Sequence, residues 1–118
     1  MEKKIEAVIK DIPCGKVKGV VSNGVQTFLG IKYATAARWE YPKEVTSWND
    51  VYEAVRYGPA PIQERAFVDG VKYKQYPFYA KEFWEGVDTS YSEDCLYLNI
   101  WAPQNAADCP VLIVVYGG

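Results

Sequence analysis

Two β-prone runs, residues 17–22 and 25–31, flank the dipeptide Asn23-Gly24, and no other feature constrains the fold as strongly. A type I′ turn needs positive φ at both central residues, which Asn and Gly tolerate, and its twist matches that of the strands it joins. In the second of these runs Val25, Thr27, Leu29 and Ile31 share one face and Gln26 and Phe28 the other, so one face is expected to be the more apolar. A further run, 5–10, precedes them. Asp11-Ile12-Pro13-Cys14-Gly15 supplies the turn between, because Pro fixes φ and Gly permits positive φ. Residues 1–31 therefore read as an antiparallel meander.

Residues 32–91 are mostly irregular. Ser47-Trp48-Asn49-Asp50 reads as the cap of a short helix over 51–57, which Gly58-Pro59 terminates. Residues 81–85 read as another helical turn before Gly86. So long a loop-rich stretch usually belongs to functional or packed Ω-type loops. Strand character resumes over 95–101, where Leu96, Leu98 and Ile100 alternate with Tyr97, Asn99 and Trp101 until Ala102-Pro103. Val111-Leu112-Ile113-Val114-Val115 has no polar alternation, which predicts a strand buried on both faces in the middle of an α/β sheet. Such a strand must be covered and paired along both edges. The helices that would cover it are not in these residues, so 1–118 reads as the opening of a larger, truncated α/β fold. In such sheets ligands sit beyond the carboxyl ends of strands, and Tyr116-Gly117-Gly118 stands at that place.

The sequence contains no histidine. A Ser-His-Asp or Cys-His arrangement cannot be assembled from these residues alone, nor can a histidine-containing zinc site. Thirteen basic against fifteen acidic residues leave a net charge of −2, which argues against nucleic acid or an anionic membrane as partner. Ten Tyr, four Trp and four Phe could form a base-stacking surface, but with that charge core packing is the better account of them. Cys14, Cys95 and Cys109 lie far apart with no C-x-x-C pair, so no metal site is expected and buried free thiols are. The first ten residues lack the apolar run of a secretory signal, and 111–115 is too short to span a bilayer. A cytoplasmic location fits these features, and no cofactor is implied.

Ser92-Glu93-Asp94-Cys95-Leu96-Tyr97-Leu98-Asn99-Ile100 resembles the signature of the type-B carboxylesterases, the serine esterase family that includes the cholinesterases. Further segments match in family order: Gly19-Val20-Val21, Phe28-Leu29-Gly30-Ile31-Lys32-Tyr33-Ala34, Arg38-Trp39 in place of Arg-Phe, Pro42, Trp48, Tyr57-Gly58-Pro59, and Pro110 through Tyr116-Gly117-Gly118. The resemblance implies an α/β-hydrolase fold of which 1–118 is the N-terminal part: meander 1–31, loops 32–91, and central-sheet strands with the start of the oxyanion loop in 92–118. The family's nucleophile sits on a G-x-S-x-G elbow, with an acid and a histidine later in the chain. Ser22, Ser47, Ser90 and Ser92 lie in no such elbow. Tyr116-Gly117-Gly118 matches the cholinesterase form of the oxyanion loop, and Gly118 aligns with one backbone donor to the developing oxyanion. Without the resemblance, Gly117-Gly118 reads first as a turn that ends the strand. Secreted members carry a cysteine just after Gly-Pro that pairs with the signature cysteine. Gly58-Pro59-Ala60-Pro61-Ile62-Gln63 has none, so Cys95 is expected to stay a thiol, as in a bacterial-like, cytoplasmic esterase. The family's Pro-Pro-x-Gly is replaced by Thr35-Ala36-Ala37, which shortens that loop. The resemblance also implies an ion pair between Arg38 and Glu93; the alternative is two solvated surface charges.

These features imply the N-terminal part of a serine carboxylesterase, inactive by itself and contributing part of the oxyanion hole in the complete protein, where the substrate is a small-molecule ester. Its partner is then the remainder of the esterase domain, or a second copy joined through the terminal strand. Trp39, Tyr76, Phe78 and Trp84 are candidates to line an apolar substrate pocket, though loop packing is the better account of any single one. A non-catalytic interaction module of the same fold is the alternative. A self-contained cysteine enzyme lacks a base for its thiol.

Overall fold

The computed structural model describes residues 4–63, 78 and 90–115. Three long strands, β1 (Ile5–Ile12), β2 (Gly15–Ser22) and β3 (Val25–Lys32), form the meander. Its second turn has Asn23 at φ 52° and Gly24 at φ 75°, the left-handed pair that a type I′ turn demands. The first turn is tighter than the sequence suggests: Asp11 and Ile12 are already paired, opposite Lys16 and Gly15, leaving Pro13-Cys14 as the loop. Three short strands follow: β4 (Ala34–Thr35), β5 (Lys43–Glu44) and β6 (Tyr52–Glu53). The last, β7 (Tyr97–Pro103), lies antiparallel beside β3 and completes the sheet order β1-β2-β3-β7. β4 and β5 pair with each other as a separate small hairpin.

β2 and β3 are paired only near their turn, from Val20↔Thr27 to Ser22↔Val25, and then diverge. β6 fills the fork. It runs parallel to β2 at Val17 and Lys18, the Ala54 N–H donates to the Lys18 carbonyl at 2.7 Å, and the Leu29 N–H donates to the Ala54 carbonyl at 2.8 Å. Ala54 is fully buried between the two strands. The helix expected over 51–57 is therefore absent. The capping residues are present, but β2 and β3 each offer a free backbone group, and bonds to both outweigh a local helix of under two turns. Trp48, expected within the cap, instead covers the first turn: its indole N–H donates to the Lys16 carbonyl at 2.7 Å and its ring stacks obliquely on Tyr52.

The buried face of β3 also differs from the simple alternation. Gln26, Phe28 and Ile31 are buried, while Val25 is 41% exposed. A bulge explains the switch. Phe28 pairs with Ile100 and Ile31 with Leu98, so Leu29 and Gly30 together oppose Asn99, and the extra residue turns Ile31 onto the face of Phe28. Gly30 adopts φ 69°, and a Cβ there would fall on the Arg56 carbonyl. Its amide N–H donates to Asn99 Oδ1 at 2.9 Å, its carbonyl accepts from the Tyr52 hydroxyl at 2.7 Å, and that hydroxyl accepts from the Lys32 N–H at 3.1 Å. Val17, Phe28, Ile31 and Ala54 form the core, with Val8, Trp48 and Tyr52 against it.

The strand expected over 111–115 is a second correction. These residues follow β7 without ladder pairing, and all five side chains are 79–88% exposed. A doubly buried strand requires neighbours on both edges, and none of the described residues supplies one. The 81–85 turn lies outside the described residues.

Candidate functional site

The signature segment 92–100 is where the structure concentrates its polar contacts. The Asp94 N–H donates to Ser92 Oγ at 3.0 Å, a local turn that projects Glu93 and Asp94 in front of the small β4–β5 hairpin. Arg38, on the loop between β4 and β5, donates from Nε to Glu93 Oε1 at 2.5 Å. Beside it Lys32 Nζ donates to Asp94 Oδ2 at 2.7 Å, and the Tyr97 hydroxyl donates to the same oxygen at 3.0 Å. The Lys32 ammonium also stands 5.3 Å from the centre of the Tyr97 ring. Tyr97 lies flat against Gly58, where a Cβ would collide with the ring. The glycine of the Tyr57-Gly58-Pro59 match is thus required by a close approach.

Each contact shifts titration in the direction that locks it. The hydrogen bond from Arg38 holds the Glu93 carboxyl below its ordinary value, and that from Lys32, helped by Tyr97, does the same for Asp94. Lys32 and Arg38 are raised by the same hydrogen bonds, and burial raises Tyr97. Lys32, Arg38, Glu93 and Asp94 border an open depression of about 490 Å³, together with Thr35 and Tyr41. General acid–base catalysis needs a group that titrates near the operating pH. Here the acids are pushed down and the bases up, so at neutral pH the cluster holds fixed charges and moves no proton. It acts as a clamp that fastens the β4–β5 hairpin to the start of β7. The family resemblance pointed to Arg38 and Glu93, whereas the roles of Lys32, Asp94, Tyr52 and Asn99 were missed. A lone Asn among the apolar residues of β7 was the available signal for the last.

Of the other sequence-derived site residues, Gly117 and Gly118 lie outside the described residues, as do Tyr76 and Trp84. Trp39 and Phe78 are 96% and 74% exposed. Cys14 and Cys95 are free and half-buried; Cys109 is free but exposed, against the expectation of a buried thiol. Among the described residues no three His, Cys, Asp or Glu side chains gather closely enough to hold a metal ion.

The described fold is similar to the corresponding part of solved esterases with the α/β-hydrolase fold. A PNB esterase superposes with a TM-score of 0.59 at 32% identity, covering 82% of this chain and 18% of that one. An esterase from Clostridium hathewayi, whose description says that it can hydrolyse aliphatic aromatic polyesters, gives 0.61 at 27% identity over 88% of this chain and 19% of its own. The carboxylesterase family model matches residues 6–118, and the chain belongs to the carboxylesterase family. The acetylcholinesterase of Bungarus fasciatus is 40% identical over 114 residues, covering 88% of this chain and 18% of that protein. The para-nitrobenzyl esterase of Bacillus subtilis is 33% identical over 109 residues, covering 88% and 20%. The chain spans about a fifth of the length of these relatives.

Proposed function

We propose that these residues are the N-terminal part of a serine carboxylesterase that, as a whole protein, hydrolyses carboxylic esters. The observation that carries this reading is a family match across residues 6–118 by a chain covering only 18–20% of relatives such as the Bungarus and Bacillus esterases. In this reading the chain supplies scaffold and one lip of the oxyanion hole, through the backbone of Gly117 and Gly118. Serine nucleophile, acid and histidine come from the rest of the enzyme, because this sequence has no histidine and no G-x-S-x-G. The substrate is a small-molecule ester, bound only in the complete enzyme, and neither cofactor nor metal takes part. Nucleic acid and membrane have no role. The clamp of Arg38 with Glu93 and Lys32 with Asp94 sets the hairpin wall against the strand that leads toward the oxyanion loop. Free Cys14, Cys95 and Cys109 support a reducing, cytoplasmic setting.

The partner is the remainder of the esterase domain, docked on the exposed apolar strip 111–115. The test is hydrolysis of a chromogenic short-chain ester by the purified chain, alone and with the remainder of a family domain supplied in trans. Activity only in the mixture is the expected result; turnover by the chain alone overturns the reading. The exposure of 111–115 also favours a second reading, a non-catalytic module that self-associates through this strip. That reading predicts association without activity in either arm.

A further inference from the structure

β1 is the outermost strand of the sheet, and among the described residues nothing pairs with its outer edge. Edges of this kind are usually blunted by Pro, a bulge, a short length or charged side chains. β1 has no Pro, bulge or short length, and Ile5–Ile12 keeps unbroken register with β2 from Ile5↔Ser22 to Ile12↔Gly15; its only such device is charge, at Glu6, Lys10 and Asp11. The two-residue loop fixes which backbone groups remain free. It makes Ile12 and Gly15 a hydrogen-bonded pair, and the antiparallel alternation then runs back along the strand. Lys10, Val8 and Glu6 aim N–H and C=O at β2, whereas Asp11, Ile9, Ala7 and Ile5 aim theirs outward. The same rule applied at Asn23-Gly24 turns the Lys18 carbonyl to the far side of β2, where it accepts from Ala54 N–H.

We propose that β1 pairs antiparallel with β1 of a second copy of this chain about a two-fold axis at Val8, joining the two sheets into one. Only registers that set outward residues against outward residues form a ladder, and the well-overlapped ones centre on Ala7, Val8 or Ile9. Centred on Ala7, Lys4 faces Lys10 of the second copy. Centred on Ile9, Ile5 faces Pro13, which has no N–H to give. Centred on Val8, Glu6 faces Lys10 and Lys10 faces Glu6, which gives two complementary charge pairs, with Ala7 and Ile9 opposed on the other face. Ile5 opposite Asp11 and, at the end of the ladder, Lys4 opposite Ile12 are the poor matches. In the single copy Glu6 meets Lys4 at 2.9 Å in a pair 85% and 55% exposed, so its carboxylate is open to a second cation. Ile5 and Ile9, 67% and 55% exposed, gain cover from the joined strand. Charge selects this edge over β7, whose seven residues carry no charged side chain with which to set a register.

The register makes a test that a generic sticky surface does not pass. Light scattering and sedimentation of the full chain over a concentration series are expected to show a dimer. Lys10→Glu alone and Glu6→Lys alone each set like charges opposite one another twice and are expected to weaken dimerisation about tenfold or more. An equimolar mixture of the two variants is expected to re-associate as a heterodimer, because the two glutamates of one then face the two lysines of the other. Circular dichroism of each variant checks that the fold is kept. Amide exchange is expected to slow with concentration at Ile5, Ala7, Ile9 and Asp11 while Glu6, Val8, Lys10 and Ile12 stay unchanged. A chain that remains monomeric, variants that fail to pair when mixed, or a dimer lost on Ile113→Lys yet indifferent to charge reversal overturns the proposal. The last outcome assigns self-association to 111–115.

Discussion

Replacing Tyr52 with Phe removes one oxygen and leaves the ring beside Trp48, 5.0 Å between centroids and inclined at 45°. That oxygen serves two backbone groups of the β3 bulge, accepting from the Lys32 N–H at 3.1 Å and donating to the Gly30 carbonyl at 2.7 Å. A buried backbone group stripped of its partner costs about 1–3 kcal/mol. Both bonds are part-buried, between buried Gly30 or half-buried Lys32 and half-buried Tyr52, so the low end applies and the loss is about 2 kcal/mol in all. Asn99→Ala removes a single bond, from the Gly30 N–H at 2.9 Å, and is expected to cost about half as much. Because both side chains hold one bulge, the double variant is expected to lose less than the sum. Urea unfolding followed by tryptophan fluorescence at one fixed protein concentration measures the effect. With a slope of about 1.5 kcal/mol per M, the midpoints fall by about 1.3 M for Tyr52→Phe and about 0.7 M for Asn99→Ala. A neutral Tyr52→Phe, or an Asn99→Ala more damaging than it, would show that the bulge is held by something other than these side chains.

Other perturbations bear on the same architecture. Gly30→Ala combines a left-handed backbone with a collision against the Arg56 carbonyl, and is expected to cost about 2–4 kcal/mol in the same unfolding assay. Gly58→Ala drives a methyl into the Tyr97 ring and is expected to cost about 1–3 kcal/mol, and to loosen the Tyr97–Asp94 bond as seen by a tyrosine titration moving back toward its ordinary value. The clamp gives a signed pH dependence. Glu93 and Asp94 are lowered in the folded chain, so their stabilisation is present above the ordinary carboxylate values and lost as pH falls below them through the lowered folded-state values. Lys32 is raised, so its share is present at neutral pH and lost only at strongly alkaline pH. Glu93→Gln and Asp94→Asn are each expected to flatten the acid limb of a stability–pH curve, and a limb unchanged in both variants contradicts the assignment. Because these groups are exposed, the effect is also expected to shrink in high salt.

The meander was legible because its determinants are local: Asn23-Gly24 needs nothing beyond its own backbone to set a hairpin, and Pro13 and Gly15 bound the other turn. β7 was legible from its period of two. The short segment at 52–55 was not, since Ser47 through Gly58 carry the cap and stop signals of a helix and only the fork between β2 and β3 overrides them. The buried face of β3 was hidden because alternation assumes an unbroken pleat, and Gly30 inserts one extra residue. Residues 111–115 show the limit of composition: five apolar side chains describe what a strand needs around it and cannot supply it. In the clamp, Lys32 and Asp94 are distant in sequence and meet only once β3 and β7 lie side by side.

The wedge at Ala54 gives the sheet an order of assembly. Two-residue turns close the meander within microseconds, whereas seating Ala54 joins parts of the chain dozens of residues apart and must wait for that frame to exist. Ala54 is fully buried, so a bulkier side chain there is expected to slow the final docking step while leaving the early hairpins untouched, a division of labour that stopped-flow refolding can resolve.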